Sequence, residues 1–129
     1  MNGVLVIDKP RGVTSFDVVA WTRRAARERR VGHAGTLDPE ATGVLCLCLG
    51  EATKLVPYLM DADKEYAATV RLGVTTDCDD ADPRGRVIAR ADAASLAALR
   101  PEDIQAALAG FIGTIAQRPP AFSALKVDG

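Results

Sequence analysis

Apolar and polar residues alternate between short blocks along this chain, and the blocks predict its elements. Val4-Leu5-Val6-Ile7 predicts a strand over about residues 3 to 7, running into the polar stop Asp8-Lys9-Pro10. A helix is predicted over about residues 15 to 29, starting near Thr14 or Ser15 and carrying Phe16, Val18, Val19 and Trp21. The run Val44-Leu45-Cys46-Leu47-Cys48-Leu49 predicts a buried strand over 43 to 49. Glu51 to Met60 reads as a helix with Leu55, Val56 and Leu59 on one side. Glu65 to Leu72 reads as a strand in which Tyr66, Ala68 and Val70 alternate with polar neighbours. Val74 to Gly85 reads as an acidic loop, Arg86 to Arg90 as a strand, and Pro101 to Ala109 as a helix with Gly110 beyond its end. Strands and helices are interspersed without regular βαβ spacing or a nucleotide-type glycine loop. The expected class is therefore α+β, with a mixed, largely antiparallel sheet and flanking helices. There is no internal repeat or low-complexity linker, and the Ala-rich stretch 91 to 98 reads as a surface connection.

Between the first two predicted strands lies Gly32-His33-Ala34-Gly35-Thr36-Leu37-Asp38-Pro39-Glu40-Ala41-Thr42-Gly43. Pro39 pushes residue 38 toward an extended backbone, and Gly32, Gly35 and Gly43 permit turns or close backbone approach. Such a loop is tight and still presents one side chain, so Asp38 is the candidate reacting group. The competing reading is a helix start, with Asp38 as N-cap, Pro39 in the first position and Glu40 in the first turn. The strand beginning at Gly43 leaves room for about one turn of it.

Composition narrows the class. A chain of 129 residues with 48% hydrophobic and 26% charged content is that of a globular domain with one ordinary core. The run Val4 to Ile7 is too short for a signal core, so a cytoplasmic protein without a membrane partner is expected. Cys46, Cys48 and Cys78 form neither an even disulfide set nor a Cys-x-x-Cys pair, and Cys46 and Cys48 read as small residues packed on one strand face. The formal net charge of −1 does not by itself announce a nucleic-acid binder. Arg23, Arg24, Arg27, Arg29 and Arg30 nevertheless crowd one predicted helix end, readable either as a phosphate-binding patch or as cations complementing the helix dipole. The acidic loop with Asp77, Asp79, Asp80 and Asp82 departs from a calcium loop: residue 81 is Ala, residue 82 is Asp where glycine is required, and no closing Glu follows. A solvated turn is the simpler reading, and no metal is expected.

Several motifs in fixed order carry a family resemblance. They are Gly3-Val4-Leu5-Val6-Ile7-Asp8-Lys9-Pro10 with Gly12, Thr14, Ser15 and Phe16, the loop Gly32 to Leu45, Gly50-Glu51-Ala52-Thr53-Lys54, and Lys64-Glu65-Tyr66. Arg71-Leu72-Gly73 with Thr76-Asp77, and Arg118-Pro119-Pro120 with Ser123-Ala124-Leu125-Lys126, complete the set. Together they resemble the TruB family of tRNA pseudouridine synthases, and the resemblance covers the whole chain.

The resemblance implies the pseudouridine synthase fold and isomerisation of a uridine in the T-loop of tRNA, with no cofactor, no required protein partner and a monomeric full-length enzyme. It implies Asp38 as catalytic aspartate, Tyr66 as the group stacking on the target base, and His33 as a residue holding the flipped-out RNA loop. Lys9, grouped with the substrate-binding residues, sits in the strand-end motif, where a cation either supports the fold or approaches phosphate. Read without the resemblance, Tyr66 is an ordinary core tyrosine, His33 a surface group and Lys64 a surface charge. Asp77 is expected near the cleft, without a catalytic role. Family members continue past the motif that ends at Lys126. Residues 1–129 are thus expected to be the N-terminal part of the catalytic domain, lacking the rest of the sheet, the arginine that pairs with the aspartate and a PUA-type domain, and to be inactive alone. The alternatives are an RNA-binding module without turnover, an RNA-guided synthase subunit and, more distantly, a hydrolase using Asp38 as phosphoryl acceptor.

Overall fold

A computed structural model of the chain describes residues 1–78 and 85–117. The chain divides into two units, Met1–Ala67 and Ala68–Gly129. The first holds β1 (Gly3–Lys9), α1 (Ser15–Ala26), β2 (Val31–His33) and β3 (Gly43–Leu49), then a 3-10 helix over Gly50–Leu55 and α2 (Val56–Met60). The second holds β4 (Val74–Thr76), β5 (Val87–Arg90), α3 (Ala93–Ala97) and α4 (Pro101–Ala109). Helices and antiparallel sheets make this an α+β chain, as the patterning predicts.

In the first unit the strand order is β1-β3-β2, with both pairings antiparallel. The buried β3 occupies the centre, as its near-continuous apolar run requires. Leu45, Leu47 and Leu49 alternate onto one face. There they form the core with Val18, Val19 and Val31, flanked by Ile7, Val13, Ala26 and Leu37. Helix α1 supplies its share through Ser15, Val18, Val19 and Thr22, at the i, i+3, i+4, i+7 spacing of one helical stripe. Phe16 and Trp21, expected on that helix, are largely exposed. Trp21 instead lines an apolar groove of about 570 Å³ with Leu5, Ile7, Val18 and Ala25.

Both ends of α1 have identifiable causes. Thr14 is extended, its hydroxyl accepts from the Asp17 amide (3.1 Å), and the Asp17 carboxylate accepts from the Thr14 amide (2.8 Å). Hydrogen bonds from Thr14 hold the Asp17 carboxyl below its usual range. The helix stops at Ala26, short of the expected residue 29, because Arg27 takes a left-handed conformation (φ 50°) and the Glu28 amide turns back to the Arg23 carbonyl (3.2 Å). Glu28 is held by the N-terminal ammonium (2.8 Å) and the Arg30 amide (3.0 Å), which lower its carboxyl's pKa. Gly50 is required at the end of β3: its φ is +59°, and a Cβ there would collide with Asn2 and Met1.

Four further expectations need correction. The segment 51–60 is broken into a 3-10 helix and a short α-helix: Pro57 has no amide to donate four residues back to the Thr53 carbonyl, and the Val56 amide closes on that carbonyl instead. Residues 65–72 form no strand. They alternate, but no described strand pairs with them, and alternation without a partner edge leaves the backbone unpaired. The start of the expected acidic loop is β4, which pairs with β5. Likewise the expected connection 91–98 contains α3, whose N-cap Asp92 accepts from the Ser95 amide (2.8 Å). Helix α4 has the predicted bounds, yet Gly110 at its end keeps a right-handed conformation (φ −70°).

Leu47 is fully buried at the centre of this small core. Leu47→Ala is expected to lower stability by about 2–5 kcal/mol, through lost transfer energy and the cavity left behind, measured by urea denaturation.

Candidate active site

The Asp38 loop connects β2 to β3, and the chain that grips it is the segment between β1 and α1. Gly35 and Gly43 both take positive φ (111° and 119°), the freedom that lets the loop leave one strand and enter the next. At Asp38 the backbone makes a single turn, in which the Ala41 amide donates to the Asp38 carbonyl (3.0 Å). Only that one turn forms, so the helix-start reading gives way to an isolated turn.

The residues on either side of Asp38 are fastened through their backbones. Before it, the hydroxyl of Ser15 donates to the Leu37 carbonyl (3.2 Å) and accepts from the Leu37 amide (3.0 Å). After it, the Pro39 carbonyl accepts from the Gly12 amide (2.8 Å) and from the ammonium of Lys9 (3.3 Å). Arg11 Nε reaches the Glu40 carbonyl (3.3 Å) and lies 3.8 Å from its carboxylate. Asp38 itself is exposed. Among the described residues its carboxylate has no hydrogen-bond or ion-pair partner. The loop therefore fixes the aspartate by its neighbours and leaves the carboxylate available to a ligand.

Lys9 is wholly buried at the end of β1, opposite Gly43. Besides Pro39, its ammonium donates to the carbonyls of Val13 (2.7 Å) and Pro10 (3.0 Å). Of the two readings open for this residue, the geometry favours support of the fold: three carbonyls occupy the charge, and no part of the residue faces solvent. His33 is the last residue of β2 rather than part of the loop, and its Nδ1 lies 2.7 Å from the Gly35 carbonyl, at the loop's start. His33 thus sits at the strand end from which the Asp38 loop departs, and Lys9 lies opposite Gly43, where the loop enters β3.

Tyr66 is in the irregular stretch after α2 and is 67% exposed, which argues against an ordinary core tyrosine. Among the described residues no hydrogen bond or ion pair joins it to the Asp38 loop. The Lys64 ammonium folds back to donate to the carbonyls of Met60 (2.5 Å) and Ala62 (2.9 Å). Asp77 is bonded to the Arg86 amide (2.8 Å) and paired with its guanidinium (3.3 Å), contacts that lower its carboxyl's pKa. Asp79, Asp80 and Asp82 lie outside the described residues, as does the motif Arg118 to Lys126.

The arginine cluster separates into two groups. Arg23 donates to the Val31 carbonyl (2.9 Å) and lies over the Phe16 ring (5.7 Å), tying α1 to β2, while its buried Nε has no partner among the described residues. Arg30 pairs with Glu51 (2.6 Å). Arg24, Arg27 and Arg29 are exposed, and their guanidinium groups have no partner among the described residues.

The sequence over residues 23–129 matches the family profile "TruB family pseudouridylate synthase (N terminal domain)". The chain belongs to the TruB family. It is 56% identical over 131 residues to tRNA pseudouridine synthase B of Ruegeria pomeroyi, covering 100% of this chain and 41% of that protein. It is 52% identical to the Leifsonia xyli protein of the same name, covering 99% and 42%. This TruB-family chain therefore spans about two fifths of the length of these curated relatives. A chain in "Structure of H/ACA RNP bound to a substrate RNA containing 2'-deoxyuridine" aligns at 46% identity and a TM-score of 0.42, over 43% of this chain and 18% of that one.

The glycine-and-proline loop marks Asp38 in the sequence, whereas nothing of that kind marks Ser15, Gly12 or Arg11. Ser15 and Gly12 carry only their place in the family motif as a signal, and Arg11 carries none. Lys9→Met keeps the buried stem and removes the three donated bonds, so it is expected to cost about 1–3 kcal/mol of stability in chemical denaturation. Lys9→Arg should restore only part of this, because a planar fork cannot converge on three carbonyls as an ammonium does.

Proposed function

We propose that this chain is the N-terminal part of the catalytic domain of a synthase that converts uridine to pseudouridine in tRNA, with the T-loop as target and Asp38 as the reacting group. The observation that carries this reading is the presentation of Asp38: anchored peptide groups on both sides, an exposed carboxylate, and a place in the loop that the family resemblance marks. The reaction breaks the N1–C1′ bond, turns the uracil and joins C5 to C1′, while the proton lost from C5 is balanced by one gained at N1. Oxidation state is unchanged, so the chemistry asks for a positioned carboxylate rather than an electron carrier. The carboxylate acts either covalently or as a base toward a ribose proton. Both routes demand precise placement, because an error of about 1 Å costs about a hundredfold in rate.

The target base must leave its stack to reach Asp38, and an exposed aromatic ring suits the extruded base. Tyr66 takes that role in this reading. His33, at the start of the loop, supports the flipped-out RNA, and Lys9 acts on substrate only through the loop it fastens. The remainder of the catalytic domain, the arginine partner of Asp38 and a PUA-type RNA-binding domain belong to the complete enzyme, which acts as a cytoplasmic monomer.

The test uses a chimaera in which residues 1–129 replace the matching 131 residues of the Ruegeria pomeroyi protein. Asp38→Asn should abolish pseudouridine formation while tRNA affinity stays within about 1 kcal/mol, since the side chains are nearly isosteric. Multiple turnover by the Asn variant would overturn the assignment, and a parent that binds tRNA without turnover would point to a non-catalytic module. Tyr66→Phe should keep most binding, whereas Tyr66→Ala should weaken productive engagement by about 1–3 kcal/mol, read as kcat/KM on unmodified tRNA.

A further inference from the structure

Ser15 is the first residue of α1, it is only 3% exposed, and its hydroxyl has a use unrelated to capping that helix. The cap belongs to Thr14 and Asp17, which bond each other reciprocally. Ser15 reaches across 22 positions of sequence to a single residue, Leu37, donating to its carbonyl at 3.2 Å and accepting from its amide at 3.0 Å. One side chain thereby satisfies both backbone groups of the residue preceding Asp38. The Leu37 carbonyl belongs to the peptide unit that leads into Asp38, so a bond to it restrains rotation about the Asp38 backbone. Leu37 also packs against the core, which gives the same segment a second restraint. The capped helix start is a rigid base for such a contact, in contrast to the exposed aspartate that it holds.

We propose that Ser15 is a positioning residue for Asp38: its two bonds to Leu37 set the direction in which the carboxylate leaves the loop. This rests on the reading of Asp38 as the reacting group. Losing the hydroxyl leaves the Leu37 amide and carbonyl without their partner and lets the peptide before Asp38 rotate, so the rate of the chemical step falls while the surface that meets RNA stays as it was.

Amide hydrogen exchange on the 129-residue chain and steady-state kinetics in the chimaera test this together. Ser15→Ala should speed exchange at Leu37 at least tenfold and lower kcat tenfold or more, with KM for tRNA within twofold. Ser15→Thr, which keeps the hydroxyl, should restore both. Leu49→Ala, in the core at the opposite end of β3 from the loop, should lower the melting temperature and leave kcat within twofold, separating positioning from stability alone. Unchanged Leu37 exchange in Ser15→Ala, or a kcat within twofold of the parent, overturns the proposal. Should Ser15→Ala not fold, Ser15→Cys fills the same space with a weak hydrogen-bonding group, and a folded Cys variant with full kcat overturns it equally. Turnover by Asp38→Asn would instead remove the reading of Asp38, and the exchange result at Leu37 would stand apart from it.

Discussion

A buried ammonium bonded to backbone carbonyls sits where three parts of the first unit meet. Lys9 ends β1, and its charge is held by the carbonyls of Pro10, Val13 and Pro39. Two of those carbonyls lie on the segment leading to α1, and the third lies in the loop joining β2 to β3. A charge removed from water must find partners, and here these partners are peptide groups that otherwise have no ladder to join. The same contacts that make the burial tolerable therefore pin the loop. Apart from these and the bonds from Gly12, Ser15 and Arg11, the loop has one turn bond of its own, Ala41 to Asp38, so its glycine-rich backbone depends on such outside contacts for its order.

The clasp is built from opposite sides of the aspartate. Lys9 and Gly12 hold the peptide after it, Ser15 the residue before it, and none of these touches the carboxylate. Such an arrangement separates two demands. In the role proposed for Asp38, the backbone is held in place for chemistry while the side chain stays uncommitted until a ligand arrives. The central strand makes the arrangement possible, because β3 has β1 on one side, ending at Lys9, and β2 on the other, ending at His33. Both flanking strands thus deliver their last residue to the same loop.

Charge is distributed by a similar division of labour. Two of the five clustered arginines are structural: Arg23 joins α1 to β2, and Arg30 pairs with Glu51. Glu51 is shared with Lys54 (2.7 Å), and these two bonds lower its carboxyl's pKa. A count of arginines along the chain therefore overstates the charge available for phosphate, and only Arg24, Arg27 and Arg29 remain uncommitted among the described residues. Their exposure gives them room to move, and isolated exposed charges contribute little to the stability of the fold itself.

Local pattern determined the elements that have a strong period or an unambiguous stop. β3 spans the expected residues 43–49, and α4 begins at Pro101 as expected. β1 extends two residues past the expected end, to Lys9, because it continues pairing down to Gly43. The sequence also singled out Asp38, since glycine and proline act on the backbone beside them and leave a readable mark. What it could not supply were the relations that depend on peptide groups far apart in the chain. Every residue except proline has the same amide and carbonyl, so neither the three carbonyls around Lys9 nor the Ser15 contact at Leu37 has a compositional signature. The short β2 is too brief to show a period, and the alternating segment 65–72 lacks a partner strand among the described residues. Tertiary structure decided those outcomes, because a hydrogen bond between distant segments forms only where the fold has already brought its two ends together.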